Sequence, residues 1–363
     1  MSNDSNLEDK SVRKKILIIG YGGTIMMVVD PIEKTVKPAD KIEEVLALLP
    51  NLSELADIEL VSLTNKDSTN ITPDDWTRLT YFIQQNYNNY DGFVITHGTN
   101  TLAYTGSALA LSLGNSLSKP VVLTGSQLPL TVFGNDARFN FENSVKTCIE
   151  ASRLGIGEVM ITFNDVVLRA ARSVKISEAS FRAFTSPAFP PLAIITATGV
   201  HFSSEARRSD PSVPLQVSPH FSPTVFSLDL TPGQRPSVLE DLVTTGKCKA
   251  VILKSYGAGS VPTDGEFSFL PFIEKVVHSY GIPVIVATKF LGGNSYKEVN
   301  DECAVLALKR GAIPSGDMTD IATEVKLMWL LAQGHFSYQS VADLLLKDFV
   351  GEVKAVNYRW DKF

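Results

Sequence analysis

From Lys15 onward one pattern recurs: a short unbroken apolar run, a turn rich in Gly and Thr, then a longer amphipathic stretch. Ile16-Leu17-Ile18-Ile19 leads into Gly20-Tyr21-Gly22-Gly23, Phe93-Val94-Ile95 into Thr96-His97-Gly98-Thr99, and Val121-Val122-Leu123 into Thr124-Gly125-Ser126. Unbroken rather than alternating apolar runs suit strands buried on both faces. Helical patterns over 42–49, 73–86 and 140–154 fall between them. The alternation predicts successive β-α units and a parallel α/β sheet, whose ligands bind beyond the carboxyl ends of the strands.

The rhythm lapses over 203–223, where Ser, Arg and repeated Pro replace periodic apolar positions, and resumes with runs at 225–230, 250–254 and 283–287 and helical patterns near 270–279 and 317–332. At roughly 100–200 residues per domain, 363 residues suit two domains. The expected organisation is a polar, mobile tail over 1–14, a larger α/β domain over 15–202, a linker over 203–223 and a smaller α/β domain over 224–363.

Charge and composition exclude several classes of function. With 39 acidic against 33 basic side chains and no basic run longer than Arg13-Lys14-Lys15, the chain lacks the cations a nucleic-acid binder needs to displace counterions. Apolar runs stay far below the ~18 residues of a membrane helix. The three cysteines, Cys148, Cys248 and Cys303, are scattered singly, which fits a reducing compartment. The polar N-terminus carries no apolar segment before a small-residue cleavage site, so the expectation is a cytoplasmic protein. Gly20-Tyr21-Gly22-Gly23 is a poor dinucleotide fingerprint, because Ile25 stands where the third glycine belongs and residues 25–29 read as a strand. Five scattered histidines give no ligand spacing, so neither metal nor cofactor is expected.

The turns after the strands are where chemistry is expected. Thr24, Asp67-Ser68-Thr69, His97-Gly98-Thr99-Asn100 and Thr124-Gly125-Ser126 gather hydroxyls, small residues and backbone N–H groups, which can supply a nucleophile and stabilise an oxyanion. Any one such turn is equally well explained by Ser and Thr satisfying turn hydrogen bonds. His97 reads either as an acid-base group or as a residue that orients its loop. Lys175 reads either as a solvated surface cation or as a buried lysine able to accept a proton.

Longer motifs carry a resemblance. GGTI at the Thr24 turn, DST at 67–69 followed by TPDDW, THGTNTLAYT at 96–105, VLTGSQLP at 122–129, AFTSP at 183–187, YGAGSVP at 256–262 and IPSGDMT at 313–319 run through the chain in order. From about Lys15 to Val353 it resembles the cytoplasmic type I branch of the bacterial and archaeal L-asparaginase family. The resemblance implies a larger N-terminal parallel-sheet domain and a smaller flavodoxin-like C-terminal one. It further implies homodimers or dimers of dimers, and cofactor-free hydrolysis of a small amide, asparagine, to aspartate and ammonia. Position by position it makes Thr24 the nucleophile and puts Thr99 and Lys175 in a proton relay. Asp67 and Ser68 would hold the substrate's charged ends, and Gly98 would be a backbone donor to the reacting carbonyl. Ser126 would lie at the pocket floor, while Tyr256 and Ser260 would sit in a loop offered to a neighbouring subunit.

The chain also departs from that pattern. Asn100 stands where the family has an aspartate that would pair with the lysine and bind the substrate's α-ammonium group; an amide keeps the shape and loses the charge. No Tyr follows Thr24 before Tyr81, although related chains place one on the hairpin. Val174, Lys254 and Phe290 replace the Thr, Arg and Cys of the family's pattern, and the first two changes, at its effector site, argue against allosteric control by asparagine. Three readings stay open: an asparaginase, an amidohydrolase for an amide without an α-ammonium group, and a silent homologue that binds a small amide. An ammonia-supplying component of an amidotransferase fits less well, for want of basic charge and of an additional basic domain.

Overall fold

The computed structural model describes residues 13–29, 36–38, 52–295 and 301–354. The helical pattern at 42–49, most of the tail and residues 30–35 lie outside them.

The strands in chain order are β1 (Lys15–Tyr21), β2 (Met27–Val29), β3 (Val36–Pro38), β4 (Asp57–Thr64), β5 (Gly92–His97), β6 (Val121–Thr124), β7 (Val159–Phe163) and β8 (Val166–Arg169). They continue with β9 (Val174–Lys175), β10 (Phe184–Thr185), β11 (Ala193–Thr196), β12 (Gly199–Phe202), β13 (Val225–Asp229), β14 (Ala250–Ser255), β15 (Val284–Thr288) and β16 (Ile313–Pro314). The larger sheet has eight strands in the order β12-β11-β8-β7-β6-β5-β1-β4, and the smaller has four in the order β13-β14-β15-β16.

All pairings of the smaller sheet are parallel, as are those joining β4, β1, β5, β6 and β7. Beyond β7 the larger sheet turns antiparallel through β8, β11 and β12. The reversal begins at Asn164-Asp165, where Asn164 takes φ 54° and joins β7 to β8 in a two-residue turn. Asn is among the few residues with a side chain that tolerate this conformation, and Asx-type turn pairs mark hairpins. Residues 25–29, expected as one strand, divide into a 3-10 turn at Thr24–Met26 and the short strand β2.

The central strands are unbroken apolar runs because both faces are covered: Ile16, Ile18, Ile19, Phe93, Val94 and Ile95 are all fully buried. The Leu102–Leu113 helix is apolar nearly all round, and every residue but Tyr104 is buried. It lies between the larger sheet and the Asp320–Ala332 helix that follows the smaller one. Consequently one hydrophobic cluster runs through both α/β units, from Leu17 and Ile95 to Ile252, Ile285 and Trp329.

The 203–223 stretch contains neither helix nor strand beyond one isolated bridge at Arg208, and it is nailed down. Trp329 donates its indole N–H to the Ser218 carbonyl at 3.0 Å, and Phe221 packs edge-on against Trp76. No helix among the described residues is long and apolar enough to cross a membrane. Cys148, Cys248 and Cys303 are all free thiols.

Candidate active site

Four turns meet beyond the carboxyl ends of β1, β4, β5 and β6, and glycines let them touch. Gly23 has φ 87°, and a Cβ there would stand 2.4 Å from the Gly98 nitrogen. A Cβ on Gly98 would stand 2.6 Å from Ser68 Oγ, and one on Gly125 would stand 2.5 Å from the His97 carbonyl oxygen. Contacts of that kind exclude any side chain, so the turns close on one another around His97-Gly98-Thr99. Each turn is also tied locally. Asp67 caps the 3-10 turn at Ser68–Asn70 by accepting the Thr69 N–H at 2.8 Å, and its hydrogen bonds to Thr69 hold its carboxyl below the usual range. Thr101 donates its hydroxyl proton to the Ser68 carbonyl at 2.6 Å, and Ser68 itself is buried.

Lys175 reaches this cluster from β9. Its Nζ donates to Thr99 Oγ1 at 2.9 Å and to Asn100 Oδ1 at 2.9 Å. Burial pushes the Lys175 ammonium below the ordinary lysine range, opposed by the charge of Glu178. Asn100 passes its own N–H to Thr69 Oγ1 at 3.3 Å, which joins the β5 turn to the β4 turn. Thr24, half-buried and followed by the fully buried Ile25, is carried by the Gly22-Gly23 turn that lies on Gly98.

His97 resolves as the residue that orients its loop. It is wholly buried, stacked on Tyr21 with ring centroids 5.8 Å apart, and its pKa is pushed down to about 4 by burial. Trp76 donates its indole N–H to Thr105 Oγ1 at 3.1 Å, and Thr105 Oγ1 lies 2.9 Å from His97 Nε2. A carbonyl oxygen only accepts, so His97 carries its proton on Nδ1, 2.7 Å from the Gly98 carbonyl oxygen, and Nε2 of the neutral ring accepts from the Thr105 hydroxyl. That bond holds the peptide plane between Gly98 and Thr99.

Ser126 is buried, but its hydroxyl donates to the Leu128 carbonyl at 2.8 Å within its own turn. Two residues that the sequence did not single out hold this turn. Asp136 accepts the N–H groups of Gln127 and Leu128, and Asn140 donates to the Gly125 carbonyl at 2.9 Å. Gln127 in turn donates to the carbonyls of Ser177 and Ser180, linking the β6 turn to the loop after Lys175. The available signal was the i, i+4 spacing of Asp136 and Asn140 at the start of the Ala137–Arg153 helix.

Tyr256 and Ser260 are not brought to the cluster. Among the described residues, Tyr256 bridges to Ser260 and lies under the Lys289 ammonium, 4.0 Å from its ring centroid, while Ser260 donates to Asp301 at 2.7 Å. Lys254 is occupied by Asp320 at 3.1 Å and Glu324 at 3.0 Å, and those carboxylates raise its pKa against the opposing effect of burial. Among the described residues no group of three or more His, Cys, Asp or Glu side chains could hold a metal ion.

A Thr-Lys pair at the strand ends of one α/β unit, backed by a second unit, is the arrangement the sequence motifs implied. Residues 15–208 match the family model for the asparaginase N-terminal domain, and residues 224–345 match that for the glutaminase/asparaginase C-terminal domain. The chain belongs to the asparaginase family. It is 33% identical over 341 residues to an L-asparaginase of Thermococcus kodakarensis, covering 93% of this chain and 99% of that one. The structure of the thermostable L-asparaginase from Thermococcus kodakarensis superposes with a TM-score of 0.84 at 32% identity, covering 94% of this chain and all of that one. A relative named for another reaction is also similar: a glutamyl-tRNA(Gln) amidotransferase component of Pyrococcus abyssi is 30% identical over 357 residues, which is 96% of this chain and 78% of that protein.

Proposed function

We propose that this asparaginase-family amidohydrolase cleaves a small carboxamide of the asparagine type, with Thr24 as nucleophile and Thr99 with Lys175 as proton relay. The observation that carries the reading is the 2.9 Å contact between Lys175 Nζ and Thr99 Oγ1. A lysine whose charged form is disfavoured by burial and which faces a hydroxyl is placed to take a proton and return it.

In this scheme Thr24 Oγ1 attacks the amide carbon while its proton is taken up by the surrounding hydroxyl network, and the developing oxyanion faces backbone N–H groups near Gly98. Thr99 and Lys175 deliver a proton to the leaving nitrogen, and ammonia departs. Water then attacks the Thr24 ester by the reverse of the same path, releasing the carboxylate product. Asp67 and Ser68 bind the substrate's polar end, Ser126 forms the floor of the pocket, and the Tyr256–Ser260 loop serves a neighbouring subunit of a cytoplasmic homodimer or dimer of dimers. The acidic balance of the chain weighs against a tRNA-dependent partner.

Ammonia release from L-asparagine and simple amides tests the scheme. Thr24→Ala and Thr99→Ala should each lower kcat at least ~100-fold, in line with loss of a nucleophile or a positioned acid-base group. Unchanged turnover in Thr24→Ala would remove Thr24 from the mechanism.

A further inference from the structure

We propose that the site selects against an ammonium group on the carbon two bonds from the scissile carboxamide carbon. It takes instead monoamides in which that carbon carries a hydrogen-bond acceptor or no polar substituent, such as the monoamide of succinate and the 4-monoamide of 2-hydroxysuccinate. This rests on the amide-hydrolysis reading above and names the substrate class of that same site.

The argument begins with the direction of the hydrogen bonds. A lysine ammonium donates and cannot accept, and both bonds made by Lys175 end on neutral oxygens, those of Thr99 and Asn100. Because Asn100 Oδ1 is taken by Lys175, the amide is oriented with Nδ2 on its other side. One of the two protons on that nitrogen goes to Thr69 Oγ1. Asn100 is exposed and its second N–H has no partner among the described residues, so it is open to a molecule arriving at Thr99. Nδ2 therefore offers a proton where a carboxylate at the same position would accept one.

The charges around the site point the same way. Among the described residues Lys175 makes no ion pair, and Glu178, whose charge does reach it, is exposed. Asp67 spends one oxygen on its own turn at the Thr69 N–H, and its other oxygen remains for the polar end of the substrate. In a molecule as small as asparagine the α-substituent lies within about 4 Å of the amide carbon. An ammonium there meets the Asn100 N–H donor to donor. A hydroxyl or keto oxygen at the same place accepts from Asn100, and a bare methylene escapes the repulsion.

The test compares substrates that differ only in the α-substituent. Ammonia release from L-asparagine, succinamate and L-malamate gives kcat/KM ratios, and calorimetric titration with L-aspartate, succinate and L-malate gives the matching binding ranking. The expected result is at least a fivefold preference for malamate or succinamate over asparagine, the same order among the diacids, and reversal of both orders in Asn100→Asp. A smaller preference, a preference for asparagine, an Asn100→Asp variant that leaves the order unchanged, or no diacid bound at millimolar concentration would each overturn the proposal. Binding in the expected order with no turnover of any amide would uphold the recognition and sink the hydrolytic reading instead.

Discussion

Two lysines of this protein are depressed by the same force and sit in opposite settings. Burial pushes both Lys175 and Lys326 below the ordinary lysine range. Lys175 is only partly enclosed and faces a hydroxyl and an amide oxygen, neither of which can hold its charge in place. Lys326 is completely buried on the Asp320–Ala332 helix, where Glu352, also completely buried, stands 2.6 Å away and the Lys347 carbonyl accepts a second bond. Glu352 further accepts the N–H of Val350 at 2.8 Å; burial pushes its carboxyl up, but Lys326 and the backbone donors hold it below the usual range. Desolvation alone thus does not make a lysine a proton carrier. What decides is whether the partner is neutral, so that the proton is free to move, or charged, so that removing either member strands the other.

The largest expected effect exploits the neutral side of that contrast. Lys175→Met should lower kcat by about 10²–10⁴-fold with the denaturation midpoint nearly unchanged, since it leaves only a hydroxyl and an amide to be rehydrated. Lys175→Arg should be equally inactive, because guanidinium does not give up its proton. In the unaltered protein kcat/KM should climb as pH rises through the depressed pKa of Lys175, and an active Lys175→Arg enzyme with the same climb would break the assignment.

Lys326→Met should show the reverse pattern. Leaving Glu352 buried without its cation is expected to cost roughly 3–5 kcal/mol of stability, read by urea unfolding, and Lys326→Met/Glu352→Leu should recover most of it. If the single variant is as stable as the parent, the pair is not a clasp between the Asp320–Ala332 helix and the chain's last described turn.

The smallest effect is the acid response. Glu352 has a folded pKa below its unfolded value, so its contribution is fully present above the unfolded carboxylate range, near about pH 4.3, and is lost as pH falls through the folded value. Unfolding free energies measured across this window should decline more steeply for the parent than for the double variant. Parallel declines would mean that other carboxylates govern acid unfolding.

The two sites were not equally legible. Thr99 and Lys175 could be singled out because strand-end turns concentrate function in a parallel sheet, and because the surrounding motifs are long. The β-α alternation likewise located the strands, with its apolar runs at 16–19, 93–95 and 121–123 falling inside the strands at 15–21, 92–97 and 121–124. Lys326 and Glu352 were illegible, since a charged residue in an amphipathic helix reads as solvated until a neighbouring segment is seen to cover it. The antiparallel strands β8, β11 and β12 were missed for a similar reason: their run of two-residue turns and short strands lacks the helical stretches that signal parallel crossovers. His97 could be read two ways because its role is decided by its burial against Tyr21 and by its contacts with the Gly98 carbonyl and Thr105, all set by tertiary packing.

The contact of Gly23 with Gly98 has a mechanical consequence. Thr24 and Thr99 are each one residue beyond a glycine, and those glycines follow β1 and β5, which pair directly from Ile16 opposite Gly92 to Tyr21 opposite His97. In the proposed scheme the separation between attacking oxygen and relay is therefore set by the pairing of two buried strands of the larger sheet. Under that scheme substrate has to fit a gauge fixed by the sheet, and sliding one strand against the other by a fraction of an ångström would detune the reaction before it loosened the fold.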